Sequence, residues 1–334
     1  MRYIIIGAGA IGGGIGGRLH ESGQDVVLVA RGAHLAALRA TGLRFSTPEG
    51  TRTLAVRAVG GPGELELQPG DVLVLAVKSQ HSAELLRDWS GRPVAGGGTA
   101  EELLPLVCAQ NGVGNEQLAL RWFRQVYGMC VWMPATHLEP GQVAVPSTPV
   151  SGILHLGRYP AGTGAGVEAV AADLEKARFL APVVPDVMRW KYGKLIGNLG
   201  NALDAVTELR GGPADGPAQE LAARVRAEGE RVLTAAGIDY ATPAEQQERR
   251  AGRMTTPPLE GVELGGSSSR QSLARGTGSI EADYLNGEIV LLAREHGVPA
   301  PLNEALRRLA DTWAREGRAP GSLPEAELTA LLAL

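Results

Sequence analysis

Residues 1–17 read MRYIIIGAGAIGGGIGG. A short apolar β-branched run, Arg2 to Ile6, has the composition of a buried strand, and the run after it is rich in Gly. Gly7, Gly9 and Gly12 fall in the spacing G-x-G-x-x-G. At the turn from a strand into a helix, the first Gly permits the tight turn and the second lets backbone approach a pyrophosphate. The third lets the helix close on the strand. A dinucleotide diphosphate then rests on the free N–H groups of the helix start, which places Gly7, Ala8, Gly9, Ala10, Ile11 and Gly12 at a cofactor. Gly13, Gly14, Gly16 and Gly17 extend the run. Each costs an exposed helix about 1 kcal/mol relative to Ala, so close packing or ligand contact must compensate.

The helix is expected to run to about Ser22, with QDVVLVA as the second strand. An acidic residue at the end of that strand would bind a ribose 2′-hydroxyl. Here the strand runs into Arg31. A guanidinium pairs with a 2′-phosphate, so NADP(H) is expected over NAD(H); otherwise Arg31 is a solvated loop charge.

Strands are also expected over Val72–Val77, ending before Lys78, and over LLPLVCAQN, ending at Asn111. Ligands of open α/β sheets bind at the carboxyl ends of strands. Lys78 and Asn111 are therefore candidates for the nicotinamide half of the cofactor and for the substrate. The chain of 334 residues allows two domains at roughly 150 residues each. Strand material thins out after LAPVVPDV. The division is placed at 1–185, a Rossmann-type NADP-binding domain, and 186–334, an all-helical catalytic and substrate domain. Helices are expected over 188–211, 217–237, 243–252, 279–297 and 302–316.

In the first of these helices Lys194, Asn198 and Asn201 would share a face. A polar stripe among apolar neighbours is either a satisfied network or a site. Glu281 would lie in the first turn of a helix beginning near Ser279, where the helix dipole also favours a carboxylate.

A net charge of −4 argues against nucleic-acid or membrane partners. No apolar run reaches the roughly 18 residues of a spanning helix. A single Arg before a Gly-rich core is a poor signal peptide. The two Cys, Cys108 and Cys130, suit a reducing, cytoplasmic setting. The six His show no metal-ligand spacing, so no metal is expected.

The ordered set GAGAIG, Arg31, AVKSQ, QNGVGNEQ, KLIGN, IEADYLNG and HGVPAPLNE resembles the ketopantoate reductases (2-dehydropantoate 2-reductases) along nearly the whole chain. The resemblance implies NADPH-dependent reduction of 2-oxopantoate to pantoate, toward pantothenate and coenzyme A. It implies Lys194 as the proton donor and Glu281 as its carboxylate partner, with Glu281 also touching the cofactor. Asn111 would contact nicotinamide and substrate, Asn198 the substrate, and Lys78 the cofactor. A Ser before Glu281 would hold the substrate carboxylate: Ser269 counting from Glu281, Ser268 counting from Gln271. Ala202 stands where the family has a second Asn, with Asn201 beside it as a substitute, and Ser272 replaces an Asp. These departures keep open another 2-oxo acid, an opine-type substrate, or a non-catalytic NADP(H)-responsive regulator. The helical half also offers a surface for a homodimer.

Overall fold

The computed structural model describes residues 1–137, 139–207, 209, 216–262 and 266–334. In chain order its strands are β1 (Arg2–Ile6), β2 (Asp25–Val29), β3 (Leu43–Thr47), β4 (Gly50–Leu54), β5 (Arg57–Val59), β6 (Asp71–Leu75) and β7 (Leu106–Cys108). There follow β8 (Val126–Trp132), β9 (Gln142–Ala144), β10 (Thr148–Pro149), β11 (Gly152–Arg158), β12 (Phe179–Leu180) and β13 (Met254–Thr255). The helices are α1 (Ala10–Glu21), α2 (Gly32–Thr41), α3 (Ser82–Ser90), α4 (Ala100–Leu103), α5 (Asn115–Ala119), α6 (Ala165–Lys176) and α7 (Val187–Asn198). After them come α8 (Asn201–Val206), α9 (Pro217–Ala235), α10 (Pro243–Arg250), α11 (Ser268–Ala274), α12 (Asn286–Glu295), α13 (Pro301–Glu316) and α14 (Glu325–Leu332). Among the described residues no helix is long and apolar enough to cross a membrane.

Two compact units result. The first comprises residues 1–191 and 242–262, the second 192–241 and 266–334. The chain passes from one to the other within α7.

The first unit is built on a sheet ordered β12-β11-β8-β7-β6-β1-β2-β5. Its pairings are parallel except β8 with β11. From β1 the chain moves outward through β2 to β5, then returns to place β6 on the other side of β1. This reversal opens a crevice at the carboxyl ends of β1 and β6. Strand alternation sorts the core. Tyr3 and Ile5 pack with α1 and α6, through Ile15, Leu19, Val167 and Val170. Ile4 and Ile6 face Leu86, Trp89 and Phe123.

The glycines of α1 now have their compensation. A second sheet, β4-β3-β9, lies on the far side of α1. A methyl group at Gly12 would lie 2.9 Å from Ile5 Cγ2, and one at Gly16 2.7 Å from Leu28 Cδ2, both on the main sheet. At Gly13 it would lie 2.7 Å from Val143 Cγ2, at Gly14 2.8 Å from Met133 Cε, and at Gly17 2.9 Å from the Phe45 ring. The helix is squeezed from two sides: a methyl at Gly12 would also meet Gly7 O at 2.0 Å, and at the other positions the facing side chains would have to shift.

Residues 242–262 return to the first unit. Met254 and Thr255 pair with Pro149 and Thr148. A capping box of Thr242 and Glu245 starts α10, and Glu245 accepts from Arg189 at 2.9 Å. From α10, Arg249 covers the ring of Trp190 and Arg250 that of Trp132. Between these rings lies His155, fully buried, stacked on Trp190 at 4.2 Å and edge-on to Trp132 at 4.8 Å. Both imidazole nitrogens are buried without a hydrogen-bond partner. Burial, with Arg249 nearby, pushes its pKa down to about 3.

An unfolded His takes a proton near pH 6.5. The unfolded chain therefore binds more protons between pH 6.5 and about 3, and stability falls as pH drops through that window. This group alone is expected to remove about 2 kcal/mol on going from pH 7 to pH 5. Urea unfolding at the two pH values should show the loss, and His155→Phe should reduce it.

The second unit is helical. The expected helix 188–211 is broken: α7 stops at Asn198 and α8 begins at Asn201. Gly197 and Gly200 flank the break, and both weaken a helix. Asn201 therefore does not continue the face of Lys194 and Asn198. Residues 208, 210 and 211 of that expectation lie outside the described residues. The expected helix 279–297 is divided as well. Glu281 sits in a separate 3-10 turn, Glu281–Tyr284, and α12 starts only at Asn286. The helix-dipole explanation for its carboxylate falls with that division. Residues Ser268–Ala274, for which no helix is expected from the sequence, form α11, capped by the Ser267 hydroxyl, which accepts from the Arg270 N–H. The short helix α14 was not expected.

Candidate active site

The first group of candidate residues lies along one edge of the main sheet. Val29, Ile6, Leu75 and Cys108 end four adjacent parallel strands in register. The Gly7–Gly12 turn follows the first of these strands in sequence, Arg31 the second, Lys78 the third and Asn111 the fourth. β6 and β7 are shorter than expected, so Lys78 and Asn111 stand in loops three residues past the strand ends. Both side chains are half-buried.

Gly7 has φ of 103°, a conformation that favours glycine. The Gly7 and Ala8 N–H groups both donate to Val29 O at 3.1 Å. Gly9 caps α1 with extended backbone, and a methyl placed on it would meet no protein atom within 4 Å. The first turn of α1 has no acidic residue, and its N–H groups have no intrahelical acceptor. Arg31 is exposed at the N-cap of α2. Open space at Gly9, unspent donors and a nearby guanidinium fit the diphosphate and ribose of a dinucleotide.

A buried network locks the Lys78 and Asn111 loops together. Asn115 donates to Ser79 Oγ (3.0 Å) and to Asn111 O (3.1 Å). Ser82 donates to Asn115 Oδ1 and accepts from Gln110 Nε2. Behind the loops Lys191 Nζ donates to Gln110 O (3.1 Å) and forms an ion pair with Glu116. Both residues are almost wholly buried. Burial pushes the Glu116 carboxyl above its usual range, and Lys191 opposes that shift. Sequence reasoning missed Lys191, Glu116 and Asn115. The only available signal was an acid and a Lys inside apolar stretches, 75 residues apart.

The second group lies on the helical unit. Lys194 and Asn198 are half-buried on α7, and the Asn198 Nδ2 atom is buried without a partner. The end of α7 is fixed by a polar chain: Asn286 donates to Leu199 O and to Asn303 Oδ1, and Asn303 donates to Glu228. Asn201, at the start of α8, accepts through its carbonyl from Ser267 Oγ at 3.4 Å, while the Ser267 N–H donates to Asp204 Oδ2. These bonds seat the Ser-rich helix α11 against α8. Ser269 is buried, and Ser268 carries a buried hydroxyl without a partner. Glu281 is buried. A donor amide and a hydroxyl that are buried but unspent suit a polar ligand.

Comparison with known proteins gives the family. Residues 3–160 match the model of ketopantoate reductase PanE/ApbA, and residues 186–313 match its C-terminal model. The chain is 28% identical to the 2-dehydropantoate 2-reductase of Pyrococcus horikoshii, over 96% of this chain and 100% of that one. It is 31% identical to that of Mesorhizobium japonicum, over 93% and 98%. The crystal structure of a PanE/ApbA family ketopantoate reductase from Ralstonia eutropha superposes with a TM-score of 0.76 at 27% identity, covering 95% of this chain and 100% of that one. The chain is an oxidoreductase acting on CH–OH groups, with a nicotinamide dinucleotide as cofactor and a small molecule as substrate. On two matched models that together span most of its length, it belongs to the ketopantoate reductase PanE/ApbA family.

Proposed function

We propose that the chain reduces 2-oxopantoate to pantoate with NADPH, in the cytoplasm, as a step toward pantothenate and coenzyme A. The observation that carries this reading is the shared sheet edge, where the Gly7–Gly12 turn, Arg31, Lys78 and Asn111 follow strands that end in register. The dinucleotide-binding role belongs to that edge and the substrate role to the helical unit. When bound, the nicotinamide supplies the hydride. The chain supplies the rest. Lys194 donates a proton from its ammonium to the oxygen that becomes the alcohol, and Glu281 holds that ammonium. Asn111 contacts the nicotinamide and the substrate, and Asn198 and Asn201 contact the substrate. The substrate carboxylate goes to Ser268 or Ser269. The unspent Ser268 hydroxyl favours the former.

Loss of NADPH absorbance across a panel of 2-oxo acids tests the reading. Fastest turnover on 2-oxopantoate supports it, and no oxidation with any 2-oxo acid sinks it. A second reading, another 2-oxo acid, is favoured by Ala202 at the family's second Asn position and by the break before Asn201. The same panel would reveal it.

Arg31 carries the preference for NADPH. A charge-assisted bond to a 2′-phosphate is worth about 1.5–3 kcal/mol. Arg31→Ala is expected to raise the KM for NADPH about 10- to 100-fold and to leave that for NADH nearly unchanged. Equal effects on both cofactors would remove Arg31 from this role.

A further inference from the structure

His34, on α2, ties together three segments far apart in sequence. Its Nε2 lies 2.8 Å from Ala8 O, and its Nδ1 lies 2.8 Å from the Gly141 nitrogen. A backbone N–H can only donate, so Nδ1 is bare and accepts from Gly141. Nε2 therefore carries the proton and donates to Ala8 O. The ring is neutral and its tautomer is fixed. Burial, which holds the His34 pKa below its usual value, agrees with this.

The anchor on the other side is firm. Gly141 O accepts from the Arg44 N–H of β3 at 2.8 Å. The ring of His137 leans on that of His34 with centroids 4.3 Å apart, and its Nδ1 is 2.9 Å from Gln142 O.

What His34 holds is the peptide between Ala8 and Gly9. In a planar trans peptide the C=O and the following N–H point in opposite directions. With Ala8 O turned toward His34, the Gly9 N–H is turned the other way. The Ala8 N–H is already committed to Val29 O. On the far flank Gly9 O accepts from the Gly13 N–H at 2.7 Å, and the carbonyl of the Ala8–Gly9 peptide itself is held by His34.

We propose that His34 is a positioning residue for the dinucleotide: a neutral imidazole that sets the Ala8–Gly9 peptide so that the Gly9 N–H faces the ligand's diphosphate. This rests on assigning the Gly7–Gly12 turn to the dinucleotide.

Two amides separate the two bonds of the ring. The Gln amide nitrogen reaches the place of Nε2, and the Asn oxygen that of Nδ1. The test measures NADPH Kd, KM and kcat, and melting temperature, for His34→Ala, His34→Gln, His34→Asn and Gly9→Ala. His34→Ala is expected to raise the Kd about five- to tenfold, the scale of one hydrogen bond. KM for NADPH should rise with it, by more than kcat falls. His34→Gln should restore most of the affinity, and His34→Asn should resemble His34→Ala. Gly9→Ala should weaken binding without lowering the melting temperature, because its methyl meets no protein atom.

If Gly9→Ala weakens binding and the His34 variants bind like the wild type, the inference about His34 is wrong and the turn assignment stands. Rescue by Asn and not by Gln also overturns it, since only the Gly141 anchor would then matter. If Gly9→Ala leaves the Kd unchanged, the turn assignment itself fails and His34 with it. Should His34→Ala not fold, the Gln and Asn variants, each keeping one of the two bonds, make the same comparison.

Discussion

Lys194→Ala is expected to lower kcat for 2-oxo acid reduction by about a thousandfold, within the range that general acid catalysis supplies. NADPH affinity should stay within about twofold, because a proton donor to the substrate contributes little to holding a dinucleotide. The size of the effect follows from the chemistry. A ketone that accepts a hydride becomes an alkoxide, which is costly in a water-poor site unless a cation and a proton meet it. Half-buried Lys194 is the group proposed to supply both. Lys194→Arg separates the two contributions, since a guanidinium keeps the charge and does not release its proton at neutral pH. It should therefore recover only part of the rate. Single-turnover NADPH oxidation would check both variants, and wild-type rates in Lys194→Ala would remove Lys194 from the mechanism.

The second large effect concerns stability. Lys191→Met leaves the Glu116 carboxyl buried without its cation. Removing one member of such a pair costs about 3–5 kcal/mol, whereas replacing both by apolar groups can be nearly neutral. Lys191→Met should thus move the denaturation midpoint strongly downward, and Lys191→Met with Glu116→Leu should recover much of the loss. The double variant should still bind substrate poorly, because Lys191 Nζ also holds Gln110 O, next to Asn111. A single-variant loss below about 1 kcal/mol would show that the site rehydrates or rearranges freely.

These two residues differ in what the sequence could single out. Lys194 lies in a local pattern, KLIGN, and the resemblance names it. Lys191 precedes it by three residues and went unnoticed, because its partner is 75 residues away and no periodicity links them. The β1–α1–β2 start was readable because Gly7, Gly9 and Gly12 have local mechanical duties. Gly13 and Gly17 were not, since their reason is a second sheet assembled from residues 43–54 and 142–144, and Gly14 was not, since it faces Met133 and Val145 from beside that sheet. The helices 217–237, 243–252 and 302–316 were found within a few residues, having strong periodicity or a Pro start. The break after Asn198 and the helix at Ser268 were missed. The first depends on glycines that a propensity sum tolerates. The second depends on the Ser267 cap and the tertiary bond to Asp204.

The return of residues 242–262 to the first unit has a consequence for how the chain is made. During synthesis the main sheet of the amino-terminal unit can form early, yet that unit remains unfinished until a segment from beyond α9 arrives to pair β13 with β10. Thr148 waits for Thr255, 107 positions later. Until Arg249 and Arg250 are in place, Trp132 and Trp190 lack the cations that lie over their rings. Closing so long a loop is slow compared with local helix formation. A nascent chain therefore passes through a stage with an open aromatic patch beside an unpaired strand edge, the kind of surface that other unfinished chains can join.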